Sequence, residues 1–154
     1  MTKKSKRASK KLFLYVDGAS RGNPGPAGVG VLILDANRRK AKEFYKYIGD
    51  TTNNVAEYSA FICGLEAASD LGADEVAINL DSELVARQLS GDYRVKDATI
   101  KTLFEKCLGL LKTFKIFEIK RIDRCENKDA DRLANKAINL GVSGTGSGMR
   151  SCNS

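Results

Sequence analysis

The chain has 154 residues, 42% hydrophobic, 29% charged and 7% aromatic, the size and make-up of one soluble globular domain. No apolar run nears the roughly 18 residues that span a bilayer, and the start lacks the apolar stretch of a secretory signal, so the expected location is cytoplasmic. The absence of histidine excludes Ser-His-Asp and Cys-His nucleophilic systems, histidine-ligated zinc and histidine bases, leaving carboxylates, lysines or thiols to carry any catalysis.

Residues 1–11 read as a basic arm. They hold Lys3, Lys4, Lys6, Arg7, Lys10 and Lys11 and no acid, within a formal net charge of +7. Such an arm either attracts a polyanion such as nucleic acid at long range or is a solubilising tail. Residues 12–17 are a short apolar run ending in Asp17, followed by the turn-forming Gly18-Ala-Ser-Arg-Gly-Asn-Pro-Gly25, which predicts a central strand and a tight loop. Two more strands are expected over 27–34 and about 41–49, joined by the polar turn 35–39, so that three strands form an antiparallel meander.

The spacing then becomes helical. Tyr58, Phe61, Ile62, Leu65 and Ala68 predict a helix over about 54–71, with Thr52, Asn53 or Asn54 as cap and Gly72 as terminator. A strand follows at 76–80, a short helix at 82–89, an amphipathic helix at 98–114, a strand at 117–122, and a helix at about 128–140 ended by Gly141. This order implies an α/β domain over 12–140: a five-stranded mixed sheet, the meander followed by two parallel strands, with helices on both faces. Residues 141–154 have the Gly/Ser-rich composition of a linker-like tail.

Four acids fall where such a sheet presents its ligand site. Asp17 ends the first strand and Asp81 the fourth, and the ends of neighbouring parallel strands lie side by side at the carboxyl edge of the sheet. Glu57 and Asp131 lie in the first turns of two helices that can lean over that edge. Each acid has a local explanation as well: a turn at Asp17-Gly18, a capping box at Asn54-x-x-Glu57, a helix cap at Asp81, and a helix-dipole partner at Asp131. Together, with no imidazole or thiolate nearby, they suit a hard cation of the Mg²⁺ or Mn²⁺ type.

With its flanking residues, this pattern resembles the type 1 ribonuclease H family over about residues 12–140. Asp17-Gly-Ala-Ser-Arg-Gly-Asn-Pro-Gly-Pro-Ala-Gly28 is similar to the family's first motif and Thr51-Thr-Asn-Asn-Val-Ala-Glu57-Tyr to its second. Leu80-Asp81-Ser82 is similar to the third and Asn127-Lys-Asp-Ala-Asp131-Arg-Leu-Ala-Asn135 to the fourth. The resemblance implies a ribonuclease H-like fold, with Asp17, Glu57, Asp81 and Asp131, rather than Asp129, as metal-binding catalytic acids. Asn23, Thr52, Asn53 and Asn54 match positions that contact the hybrid. It also implies hydrolysis of the RNA strand of RNA–DNA hybrids by two divalent ions, to 5′-phosphate and 3′-hydroxyl ends. A noncatalytic hybrid-binding module and a nucleotidyl transferase or integrase of this fold are the alternatives. A monomer is the default state.

Three departures from the family stand out. The loop Arg121-Ile-Asp-Arg-Cys-Glu-Asn127 lacks the histidine that many relatives carry. Residues 89–96 replace a basic, tryptophan-containing handle, leaving Arg94, Lys96 or the arm to grip the substrate. Glu83 stands where relatives often have an uncharged side chain. The four cysteines, Cys63, Cys107, Cys125 and Cys152, show no metal-binding spacing. Three are expected as apolar fillers, and Cys152, in the tail, is expected to pair with Cys63 or secondly Cys125, because Cys107 lies on the apolar stripe of its helix. The alternative is a free thiol, as disulfides are rare in the cytosol.

Overall fold

The computed structural model describes residues 9–143. The meander forms strands β1 (Lys11–Ser20), β2 (Gly25–Leu34) and β3 (Lys40–Thr51), followed by helix α1 (Asn53–Asp70) and strand β4 (Glu75–Leu80). Helices α2 (Glu83–Leu89) and α3 (Ala98–Leu111) lead to β5 (Ile116–Arg121), and a 3-10 turn at Arg124–Glu126 precedes α4 (Lys128–Val142). The sheet runs β3-β2-β1-β4-β5. β1 pairs antiparallel with β2 and β2 with β3, whereas β1–β4 and β4–β5 are parallel. The expected five-stranded mixed sheet is therefore present.

Alternation along β2 sorts its two faces, as the period of a strand requires. Val29, Val31 and Ile33 are fully buried and join Leu12, Leu14 and Val16 of β1, Ile78 of β4, and Tyr58, Phe61 and Leu65 of α1 in one apolar core. Each such side chain contributes roughly 1.5–3 kcal/mol by leaving water. On the opposite face, Gly28 and Gly30 lie against α4: a Cβ at Gly30 would run into the Ala130 carbonyl and the Ala134 nitrogen, and one at Gly28 into the Ala134 carbonyl. Helices thus cover both faces, and α4 sits main chain to main chain on the sheet.

The caps are side chains of the expected kind. Thr52 Oγ1 accepts from Val55 N at 3.2 Å, Ser82 Oγ from Val85 N at 3.2 Å, and Asp97 Oδ2 from Ile100 N at 2.9 Å. Asp81 and Asn54 are thereby released from the capping roles their positions suggested.

Most boundaries shift by a residue or two, and three of the differences have a clear cause. β1 does not end at Asp17 but continues to Ser20, because its antiparallel register with β2 runs on to Ser20–Ala27. α3 stops at Leu111, not 114, because the chain must turn there: Thr113 N donates to Leu110 O and Lys115 N to Asp74 O, delivering the strand start at Ile116. Gly141 lies inside α4, with the Tyr47 ring occupying the space a Cβ would need, so the helix continues to Val142.

Candidate functional site

Register brings the first two acids together. The parallel pairing of β1 and β4 advances to Tyr15–Asn79, and two residues further along the chain lie Asp17 in β1 and Asp81 just past the end of β4. Glu57 joins them because Gly18 has no side chain: a Cβ there would overlap the Ala56 carbonyl. The N-terminal part of α1 therefore rests on β1, and Glu57 Oε1 accepts from Gly18 N at 3.2 Å. Because the helix starts at Asn53, capped by Thr52, Glu57 lies just past its first turn rather than in it. The glycine after Asp17 serves a close approach, not only a turn. Carboxylate oxygens of Asp17, Glu57 and Asp81 all lie within 4.8 Å of one another. Asp131, from the first turn of α4, stands outside that group but near enough to add its charge to those acting on Asp17.

The electrostatics follow from burial. Asp17 and Glu57 are 5% and 8% exposed. Desolvation first, then the charges of Glu57, Asp81 and Asp131, push the Asp17 carboxyl up to about 9. Glu57 rises to about 8, again mainly by desolvation, with the Gly18 hydrogen bond and the Arg124 guanidinium pulling the other way. Clustered carboxylates with so little positive charge near them favour protonation or a cation. The donors are all oxygen, and their spacing and shortage of counter-charge fit a hard divalent ion.

The four polar residues matched to substrate contacts also come together. Asn23, Thr52, Asn53 and Asn54 line one cleft of about 720 Å³ with Thr51, Val55, Asp97, Thr99 and Ile100. Asn53 N donates to Asn23 Oδ1 at 3.0 Å, which ties the β1–β2 turn to the start of α1. Asp97 adds an acid to this wall that no motif in the sequence points to. Arg94 and Lys96 are exposed on the 90–97 connection, which contains no helix. Glu83 points its charge at Arg87, with Nε–Oε2 3.0 Å.

Three residues of the site go beyond those the sequence singles out. Asn127, 1% exposed, donates through Nδ2 to Val16 O at 2.9 Å and to Asp81 Oδ2 at 3.0 Å. Its place at the head of the fourth motif marks the residue, but nothing local signals this inward role. Asn135 donates through Nδ2 to Asp131 Oδ1 at 3.3 Å and accepts from an Arg21 guanidinium nitrogen at 3.2 Å. Arg124 acts on Glu57 from the loop that lacks the family's histidine, and its charge is the one available clue.

The cysteine expectations divide. Cys107 is fully buried in the core, and burial pushes its thiol up to about 12. Cys125 is exposed rather than a filler, because the 3-10 turn that carries it lies on the surface. Cys63 is half-buried beside Lys42, Phe44, Lys46 and Glu66. Cys152 lies outside the described residues, and with it the expected pairing.

Known proteins share this sequence pattern and this fold. The family described as reverse transcriptase-like matches residues 15–137. Ribonuclease HI of Halobacterium salinarum is 41% identical over 128 residues, 83% of this chain and 64% of that protein. The bifunctional protein Rv2228c of Mycobacterium tuberculosis is 42% identical over 129 residues, 83% of this chain but 35% of the relative. The chain thus spans only part of the length of these curated relatives. Among solved structures, RNase H1 from Halobacterium salinarum superposes with a TM-score of 0.83 at 40% identity, covering 84% of this chain and 98% of that one. LC11-RNase H1 in complex with RNA/DNA hybrid gives 0.80 at 42% identity, covering 85% and 99%.

Proposed function

Because the chain belongs to the type 1 ribonuclease H family, we propose that it is a metal-dependent endonuclease that hydrolyses the RNA strand of RNA–DNA hybrids to 5′-phosphate and 3′-hydroxyl ends. The observation that carries this reading is the trio Asp17, Glu57 and Asp81 within 4.8 Å, at the edge of the sheet beside the Asn- and Thr-lined cleft. A noncatalytic module has no use for two carboxyls held in burial against their own charge.

In this reading Asp17, Glu57, Asp81 and Asp131 hold two ions of the Mg²⁺ or Mn²⁺ type. Divalent ions there supply the positive charge that the transition state of phosphodiester attack and the departing 3′ oxygen demand. Asn127 fixes the Asp81 carboxylate through the 3.0 Å bond, and Asn135 steadies Asp131. Arg124 favours the ionised form of Glu57, which keeps that oxygen available for a ligand. Asn23, Thr52, Asn53 and Asn54 line the cleft as short polar groups, suited to the 2′-hydroxyls and sugar edges of a wide minor groove.

Incubation with labelled RNA–DNA hybrid, double-stranded DNA and single-stranded RNA, each with Mg²⁺ or EDTA, tests the proposal. Cleavage confined to the RNA of the hybrid and dependent on Mg²⁺ is expected. Hybrid binding without cleavage would assign the chain to the noncatalytic alternative, and DNA cutting or joining to the transferase class.

A further inference from the structure

Among the described residues the excess of positive charge gathers at one end of the fold. Residues 10–11, 35–40, 70–75 and 112–116 contain seven lysines and arginines and four acids, a formal charge of +3, against −1 for the other described residues. Four further cations precede Ser9 in sequence. The segments meet where β1, β4 and β5 begin: Asp74 N and Glu75 N donate to Lys10 O, and Lys115 N donates to Asp74 O. The carboxylates lie at the other end, with Asp17 six residues along β1 from Lys11, about 20 Å at the rise of a strand.

The cations here are left available. Lys40 pairs with Glu43 at 3.5 Å, but no ion pair among the described residues engages Lys11, Arg38, Arg39, Lys112 or Lys115. Asp35 Oδ1 is occupied by the backbone nitrogens of Asn37 and Arg39, at 2.8 and 3.0 Å. Arg38 closes the β2–β3 turn with φ 67°, a position that glycine or asparagine fills more easily. Its guanidinium stacks 3.8 Å from the centroid of the Phe13 ring, and Lys11 Nζ lies 5.0 Å from the same centroid. Two cations therefore share one ring, and no acid among the described residues pairs with either.

We propose that this end of the sheet is a second nucleic-acid-binding surface, on which Lys11, Arg38, Arg39, Lys112 and Lys115 hold the phosphodiester backbone of a duplex away from the carboxylate site. Unpaired cations spread over several turns match a repeating line of phosphates and carry no base-specific information. A membrane is the poorer match, since interfacial anchoring uses an amphipathic helix or a lipid chain and this end is made of turns and strand starts. The inference goes beyond the cleavage reaction and does not depend on it.

The test is the binding of a fluorescent 20-base-pair DNA duplex to the full chain in EDTA, as a function of KCl. Each lost phosphate contact lowers the slope of log K against log salt by about 0.9. Combining Arg38→Gly, Arg39→Gln and Lys115→Gln is expected to reduce the slope by about 2–3 and weaken binding at least about tenfold at low salt. The kcat on a short RNA–DNA hybrid with Mg²⁺ should stay within about twofold. Arg38→Gly alone suits the turn and should melt no lower than the parent, which separates lost binding from lost fold. An unchanged slope and affinity would overturn the proposal. So would preferential binding to phosphatidylserine-containing vesicles that the triple variant loses. Failure of the chain to cut hybrid bears only on the ribonuclease reading.

Discussion

Asn127 and Asp81 are joined by a hydrogen bond of 3.0 Å that spans 46 residues of sequence and links the start of α4 to the end of β4. The same amide nitrogen also donates to Val16 O, while Asn127 Oδ1 is buried without a partner among the described residues. The amide thus holds β1, β4 and α4 in one place at the cost of an unsatisfied acceptor. Asn127→Ala should destabilise the fold by roughly 1–3 kcal/mol, the usual result of stranding buried polar groups. It should also raise the Mg²⁺ concentration for half-maximal cleavage several-fold while hybrid affinity in Ca²⁺ changes little. Urea titration and a Mg²⁺ activity curve check both.

Asp17→Asn should separate activity from stability. Loss of one metal-binding charge is expected to lower kcat by about 10²-fold or more, equivalent to several kcal/mol of transition-state charge stabilisation. In EDTA at pH 8 the same variant should be more stable than the parent, by roughly 1–3 kcal/mol, because the amide is buried neutral without taking up a proton that the unfolded carboxyl has released. Near-normal cleavage by Asp17→Asn would remove Asp17 from the site.

The pH dependence of stability has a definite sign. Asp17 and Glu57 titrate at about 9 and about 8 when folded, against about 4 in the unfolded chain. Between those values the folded state keeps protons that the unfolded state has released. Their stabilising contribution is therefore complete below about pH 4 and is lost as pH rises through about 8–9. Denaturation in EDTA at pH 5.5, 7 and 8.5 should show stability falling with pH, more steeply in the parent than in Asp17→Asn. Added Mg²⁺ should reverse the trend, since it binds the ionised form.

Ca²⁺ should occupy the carboxylates and raise Tm yet support little turnover, because its longer and looser coordination does not reproduce the octahedral demand of Mg²⁺. A thermal shift with Ca²⁺ but cleavage only with Mg²⁺ or Mn²⁺ is the expected pair of results. Equal turnover with Ca²⁺ would contradict the assignment.

Arg124→Ala should lift the pH at which cleavage reaches half its plateau, because the guanidinium favours ionised Glu57. Arg124→Lys should recover part of that shift. A pH–rate profile under saturating hybrid distinguishes this from a loss of binding.

The order of strands and helices was legible because each element obeys its own local period, and the acids were legible from motif spacing, although Glu57 falls just past the first turn of α1. What sequence could not show was the reach of pairing. Asp17 reads as a strand end from the turn formers after it, yet the β2 register carries β1 to Ser20. Gly141 reads as a stop, yet Tyr47 fills the space beside it and the helix continues. Asn127 stands in the fourth motif, but nothing local distinguishes an outward amide from one turned toward a residue 46 positions away. The position of Asp131 outside the tight trio depends on how α4 rests on the sheet, which is a property of packing, not of spacing.

Gly28 and Gly30 carry no charge and no side-chain hydrogen bond, yet α4 lies directly on their main chain. A single methyl at either position has nowhere to go except by lifting the helix that carries Asp131 and follows Asn127. In a saturation library selected for activity, these two positions should therefore rank with the carboxylates in intolerance, and alanine should fare nearly as badly as leucine. The tolerance map of this protein would then show a second blank patch on the middle of β2, one that no inspection of titratable groups would locate.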